Sequence, residues 1–160
     1  MLKRFVFVAA LCALAAPAFP QANPRGEAEA TVAGKAVSIE YGRPSLKGRD
    51  MLAQAQVGQP WRLGADAATT LTTEADLAFG DAKVPSGEYT LTATKVAADT
   101  WHLNVLNGAD RSEVANVPLT LGRTDAPVET FTIELMGDGD NGKVTISWGQ
   151  TVLTADFTGK

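Results

Sequence analysis

Apolar and polar residues alternate with a period of two along most of the chain after Arg25. That pattern belongs to strands that bury one face and wet the other. Residues 28–32 and 36–41 flank Ala33-Gly34-Lys35, a hairpin signal, and in the second run Val37, Ile39 and Tyr41 oppose Ser38 and Glu40. Two short strands are expected over residues 68–73 and 76–79, and a longer one over 88–96 sets Tyr89, Leu91 and Ala93 against Thr90, Thr92 and Thr94. Trp101, Leu103 and Val105 alternate with His102 and Asn104. Val117, Leu119 and Leu121 enclose Pro118, which predicts an edge strand or a bulge because proline cannot donate to a ladder. Phe131, Ile133 and Leu135, then Val144, Ile146 and Trp148, then Leu153, Ala155 and Phe157 mark three further strands. Turn residues separate them at Gly80-Asp81, Pro85-Ser86-Gly87, Asn107-Gly108 and residues 138–142. Some nine short strands at this spacing predict an all-β fold, an antiparallel β-sandwich or flattened barrel.

One stretch breaks the alternation. YGRPSLKGRDMLAQAQVGQPWRLGADAATTL, residues 41–71, holds a long polar insert at about residues 42–67. Four cations (Arg43, Lys47, Arg49, Arg62) and two carboxylates (Asp50, Asp66) lie there among glycines, prolines and Trp61. Ordinary connections run to about 4–6 residues, and longer ones tend to be functional or disordered. Trp61, Leu63 and Leu71 argue against disorder, since disordered segments lack large apolar anchors. Asp50 as a cap before MLAQAQ, with Gly58 as a stop, predicts one short helix over residues 50–56.

The N-terminal segment carries a different signal. Lys3 and Arg4 precede an apolar run from residue 5 to 16, and Ala16-Pro17-Ala18 supplies a small-x-small cut site. A cleaved export signal is expected over residues 1–18, with a second cut site after Ala22, leaving a single domain over residues 23–160. The protein is then periplasmic or secreted. The run is too short for a membrane span, which needs about 20 residues. Cleavage would remove Cys12, the only cysteine, together with Lys3 and Arg4. Of 14 basic residues 12 would remain against 18 acidic ones, a formal charge of −6. Such a chain offers no basic footprint for nucleic acid or anionic membrane.

YGRPSLKGR, WRLGADAATTL and VPSGEYTL, in that order, resemble a bacterial family of small exported proteins, the domain-of-unknown-function family numbered 2911. The ordered motifs cover residues 27–105, and the remainder is similar only in being β-rich. The resemblance implies a compact exported β domain and assigns no catalytic residue. Asp66 stands where many members carry Asn, and Ser86 where Ala is common. A carboxylate only accepts hydrogen bonds, so a role needing an amide donor at position 66 is not available here.

Arg43, Lys47, Arg49 and Arg62, with Asp66 and Trp61, are the candidate ligand-binding residues. Guanidinium forks match carboxylate, phosphate and sulfate oxygens; Trp61 offers a stacking face for a sugar or an aromatic ligand, or, as the weightier expectation, a core anchor for the polar loop. The expected ligand is small, and anionic or polyhydroxylated. The competing expectation is structural: the same arginines pin the insert through Glu40, Asp50 and Asp66, and a protein partner meets a sheet edge. Trp101 and Trp148 read as core. His102, the only histidine, falls on the solvent face beside Asn104, so no His-rich zinc centre or triad is expected. Asp138-Gly-Asp-Asn-Gly142 fails the calcium-loop spacing and reads as a hairpin turn built on Asn141-Gly142. A carboxylate-pair hydrolase is a weaker alternative, resting on Glu40, Asp50 and Asp66. No catalytic residue, metal or cofactor is assigned.

Overall fold

A computed structural model describes residues 22–160, so the expected export signal lies outside the described residues. Ten strands follow in chain order: β1 (Arg25–Val32), β2 (Lys35–Gly42), β3 (Pro60–Trp61), β4 (Thr69–Thr73), β5 (Leu77–Phe79), β6 (Ala82–Val84), β7 (Gly87–Ala97), β8 (Thr100–Asn107), β9 (Glu113–Asp138) and β10 (Asn141–Gly159). All the pairings are antiparallel, in the order β1-β2-β4-β7-β8-β9-β10-β5-β6, with β3 on the edge of β7. The path does not close into a barrel.

Hairpin turns follow the local chemistry. Ala33 (φ 53) and Gly34 (φ 71) are both left-handed, as a two-residue turn that matches strand twist requires. At the β9–β10 turn the left-handed residue is Gly139 (φ 59), while Asn141 and Gly142 belong to β10. That corrects the expected Asn-Gly turn: Gly142 has another task, since a Cβ there would strike the Phe157 ring.

The four strands expected after residue 113 are two long ones. β9 pairs β8 through residues 113–119 and then pairs β10 from Thr120 to Asp138. The register shifts between Ser147, Gly149 and Thr151, where bulges bend the ribbon. β10 doubles back so far that Gly159 N–H donates to Asp140 O at 2.8 Å. The ribbon therefore lays Phe131, Ile133, Ile146 and Trp148 over the inner residues of the other strands, among them Ile39, Leu71, Leu91, Leu103 and Val117, and all of these are buried. Pro118 lies in the β9 segment that has β8 on one side and, among the described residues, no strand paired on the other.

The expected helix over residues 50–56 is absent, and residues 51–54 form a single turn. Asp50 Oδ1 does accept from Ala53 N (3.0 Å), and Gln54 N reaches Asp50 O at 3.3 Å. The turn then stops, because Gly58 N–H is drawn to Lys95 O at 2.8 Å and the chain joins the β7 edge as β3. Propagation of so short a helix is weaker than capture by a waiting strand edge.

Candidate functional site

β3 and β4 share one edge of β7. Trp61 pairs with Ala93, and Thr69 pairs with Leu91. Residues 62–68 bulge off the sheet between them. Trp61 turns inward, stacking on Trp148 (5.8 Å, 13°) and standing edge-on to Phe131 (5.1 Å, 77°). Arg62 is exposed and lines the outer face with Thr90 and Thr92. The period-two alternation thus separates a core anchor from a surface cation in consecutive residues.

The loop is tightly specified. Leu63 is fully buried yet left-handed (φ 54), a conformation that costs a bulky residue about 1–2 kcal/mol. Thr69 Oγ1, itself fully buried, donates to Leu63 O at 2.6 Å. A Cβ on Gly42 would overlap the Ala65 carbonyl, and one on Gly64 would sit 2.7 Å from Gly42 O. The loop backbone therefore rests directly on the end of β2, which only glycine permits. Asp66 Oδ2 accepts from Asn23 N (2.8 Å) and Asn23 Nδ2 (3.2 Å), and Arg62 Nη1 donates to Asp66 O at 3.1 Å.

A second loop approaches the same face. After β8, Asn107 Oδ1 accepts from Ala109 N (2.9 Å), and Arg111 N donates to Asn107 O (3.0 Å). Asp110 Oδ1 accepts from both the hydroxyl (2.7 Å) and the N–H (3.0 Å) of Ser112. These bonds, the hydroxyl's first, hold the Asp110 carboxyl below its ordinary range. The turn presents Arg111 in a left-handed conformation (φ 61).

Arg62 and Arg111 line a cleft of about 200 Å³ with Asp66, Ala68, Thr90, Leu91 and Thr92. Among the described residues the ion pairs are Arg25–Glu40 (3.8 Å) and Lys143–Asp156 (3.7 Å). Neither cleft guanidinium is within ion-pair distance of a described carboxylate. Behind Thr92 runs a chain of polar side chains on the outer face of β7, β8 and β9. Asn104 Nδ2 bonds Thr92 Oγ1 (3.0 Å) and Thr94 Oγ1 (2.9 Å), Asn116 Nδ2 bonds Asn104 Oδ1 (2.9 Å), and Asn116 Oδ1 meets His102 Nδ1. His102 is on the outer face, as the alternation predicts, but it is half-buried and engaged rather than simply solvated.

The other candidates lie elsewhere. Arg43 is half-buried and reaches across to the ribbon, Nε to Phe131 O and Nη2 to Thr132 Oγ1, both at 3.4 Å. Its backbone and those of Leu46 and Lys47 are also held, by Pro24 O, Glu129 O and Glu129 Oε1. Lys47 and Arg49 side chains are exposed. Trp61 opens at its rim on a second cavity of about 270 Å³, with Met51, Leu52 and Gln54 among its walls. Of the six candidates, then, Arg62 and Asp66 share the two-arginine cleft, joined by Arg111. Arg111 sits in an ordinary-looking turn after Asn107-Gly108, where no motif marks it. An arginine at a hairpin tip was the available signal.

Each motif of the family resemblance now has a place. Gly42 and Gly64-Ala65 meet backbone to backbone. In VPSGEYTL, Tyr89 Oη donates to Pro85 O (2.8 Å) and Ser86 N donates to Asp76 Oδ1 (2.8 Å), so the Ser86 backbone rather than its hydroxyl fastens the turn. No curated protein and no solved structure matches the chain. A family model described as "Protein of unknown function (DUF2911)" matches residues 23–157, well past the motifs and through the β9–β10 ribbon. The chain belongs to that family.

Proposed function

We propose that this protein is an exported, non-catalytic binding module whose two-arginine cleft holds a small anion. One observation carries the binding role. Arg62 and Arg111, from separate loops, line one cleft, and neither is within ion-pair distance of a described carboxylate, Asp66 of the same cleft included, in a chain whose formal net charge is −4. Cations left unpaired on an acidic protein favour an external counter-ion, and guanidinium geometry suits oxyanions. The cleft is smaller than the about 300–1,000 Å³ typical of drug-sized ligands, so it suits a small anion or one anionic group of a larger molecule. Arg43 stands apart: its bonds to the ribbon support the structural role considered for the insert arginines.

Calorimetric titration of the protein with phosphate, sulfate and acetate at low salt tests the binding role. Saturable binding that weakens about tenfold in Arg62→Ala and in Arg111→Ala is the expected result, one charge-assisted bond being lost in each. Binding that persists unchanged in the double variant would refute it. For export, the expectation is a periplasmic or secreted product beginning at residue 19 or 23. N-terminal sequencing of that fraction decides it, and an uncut chain in the cytoplasm would overturn it.

A further inference from the structure

The polar chain behind the cleft determines where the Thr92 proton goes. Asn116 Nδ2 donates to Asn104 Oδ1, so Asn104 must use its amide hydrogens in the other direction. It has two, and both are taken, one by Thr92 Oγ1 and one by Thr94 Oγ1. Asn116 Oδ1 then faces His102 as an acceptor, and His102 Nδ1 is the donor. With its oxygen accepting from Asn104, Thr92 keeps its own O–H for a partner outside the chain. Thr92 lines the cleft, whereas Thr94 does not.

From this we infer that the Thr92 hydroxyl is a third donor to the cleft ligand, and that the ligand group is a tetrahedral oxyanion, a phosphate or sulfate. The inference rests on the anion-binding role proposed above and narrows it. Residues able to donate line the cleft from three elements: Arg62 on the loop between β3 and β4, Arg111 on the loop after β8 and Thr92 on β7. The Asp66 carboxylate that also lines it accepts from Asn23 through Oδ2. Two guanidinium forks and a hydroxyl exceed what the two coplanar oxygens of a carboxylate can accept at once. Four oxygens in a tetrahedron meet them all. Asn104 and Asn116 act as positioning residues, which hold Thr92 as a donor without touching the ligand. If both amides were turned over, the threonine would point lone pairs at the cleft and contribute nothing to an anion.

Titration of the full chain with inorganic phosphate, inorganic sulfate, phenyl phosphate and acetate, in the wild type and in Thr92→Val, Thr92→Ser, Thr94→Val and Arg62→Ala, tests this. Thr92→Val keeps the shape and removes the hydroxyl, and about a tenfold loss of phosphate or sulfate affinity is expected. Thr92→Ser should restore most of it. Thr94→Val loses the same kind of bond to Asn104 but should bind like wild type, a result that a merely structural role for the chain would not give. Acetate should bind at least about tenfold more weakly than the tetrahedral ions. Tighter binding of phenyl phosphate would identify an esterified group as the ligand, and equal binding a free ion; both agree with the inference. Equal affinity for acetate, or equal losses in Thr92→Val and Thr94→Val, would overturn it. Anion binding abolished by Arg62→Ala but untouched by Thr92→Val would remove this inference and leave the anion-binding role standing. If no anion bound to the wild type, both would fall.

Discussion

Thr69→Val should show that the loop carrying Arg62 is held by one buried hydroxyl. Thr69 Oγ1 donates to Leu63 O at 2.6 Å, and both residues are fully buried. Valine is close to isosteric with threonine, so the change opens no cavity. It leaves the Leu63 carbonyl without its donor where water does not reach. An unsatisfied buried acceptor costs about 1–3 kcal/mol. The bond also helps keep Leu63 at φ 54, a strain of about 1–2 kcal/mol that the chain would shed if the loop loosened. With a urea slope of about 1–3 kcal/mol/M, the unfolding midpoint should fall by about 1 M at unchanged slope. Thr69→Ser retains the donor and loses one buried methyl, at about 1 kcal/mol. The two variants then part company at the cleft: Thr69→Val should weaken phosphate binding, and Thr69→Ser should leave it intact. A midpoint within about 0.2 M of wild type for Thr69→Val, where a 1 kcal/mol loss already moves it further, would refute the reasoning. So would equal anion affinity in the two variants.

Arg62→Ala should leave the thermal midpoint nearly unchanged, because the side chain is exposed and donates to a backbone carbonyl rather than to a buried carboxylate; exposed polar contacts of this kind contribute about 0–1 kcal/mol. Gly42→Ala should be far more damaging, at about 3 kcal/mol or more, since the new Cβ meets the Ala65 backbone and neither chain can retreat alone; chemical denaturation measures it. Tyr89 has its phenol pushed above the ordinary tyrosine value by burial first and then by the Asp76 carboxylate. A raised folded-state value gives stability that is complete below the unfolded value and lost as pH rises toward the folded one. The urea midpoint should therefore decline on the alkaline side in the wild type, and the decline should be smaller in Tyr89→Phe.

The faces of the strands were legible because period two needs only local sequence. Val37, Ile39 and Tyr41 are buried where the alternation puts them, as are Trp101, Leu103 and Val105. The joining of strands was not legible. Whether residues 117–135 make two strands or one depends on a partner that bends with them, and β10 supplies it. The helix over residues 50–56 failed for a related reason: the Asp50 cap forms, but nothing local reveals that Gly58 will be claimed by Lys95. Half of the cleft was visible in WRLGAD. Grouping cations by their nearness in sequence placed Arg43 beside Arg62, whereas the end of β2 sends Arg43 to Phe131 and Thr132. Arg111 is brought to Arg62 only by the register of β7 on β8, which no motif encodes.

The strand order has a kinetic consequence. β5 and β6 lie in sequence between β4 and β7, yet they join the sheet at its far end through β10, the last of the ten strands in chain order. Lys160 exchanges two backbone bonds with Asp76, while its carbonyl also takes the Lys35 ammonium at 2.9 Å. The β5–β6 hairpin must therefore wait undocked, with Leu77 and Val84 in water, until residues from the other end of the chain arrive. Loop-closure entropy is spent before those contacts form, as in other non-local β topologies that fold in milliseconds to seconds. During that interval the bare hairpin edge is the part of the molecule most open to pairing with another copy. Pulse-labelling hydrogen exchange should show residues 77–84 gaining protection in the same late phase as residues 153–159, well after the β1–β2 hairpin.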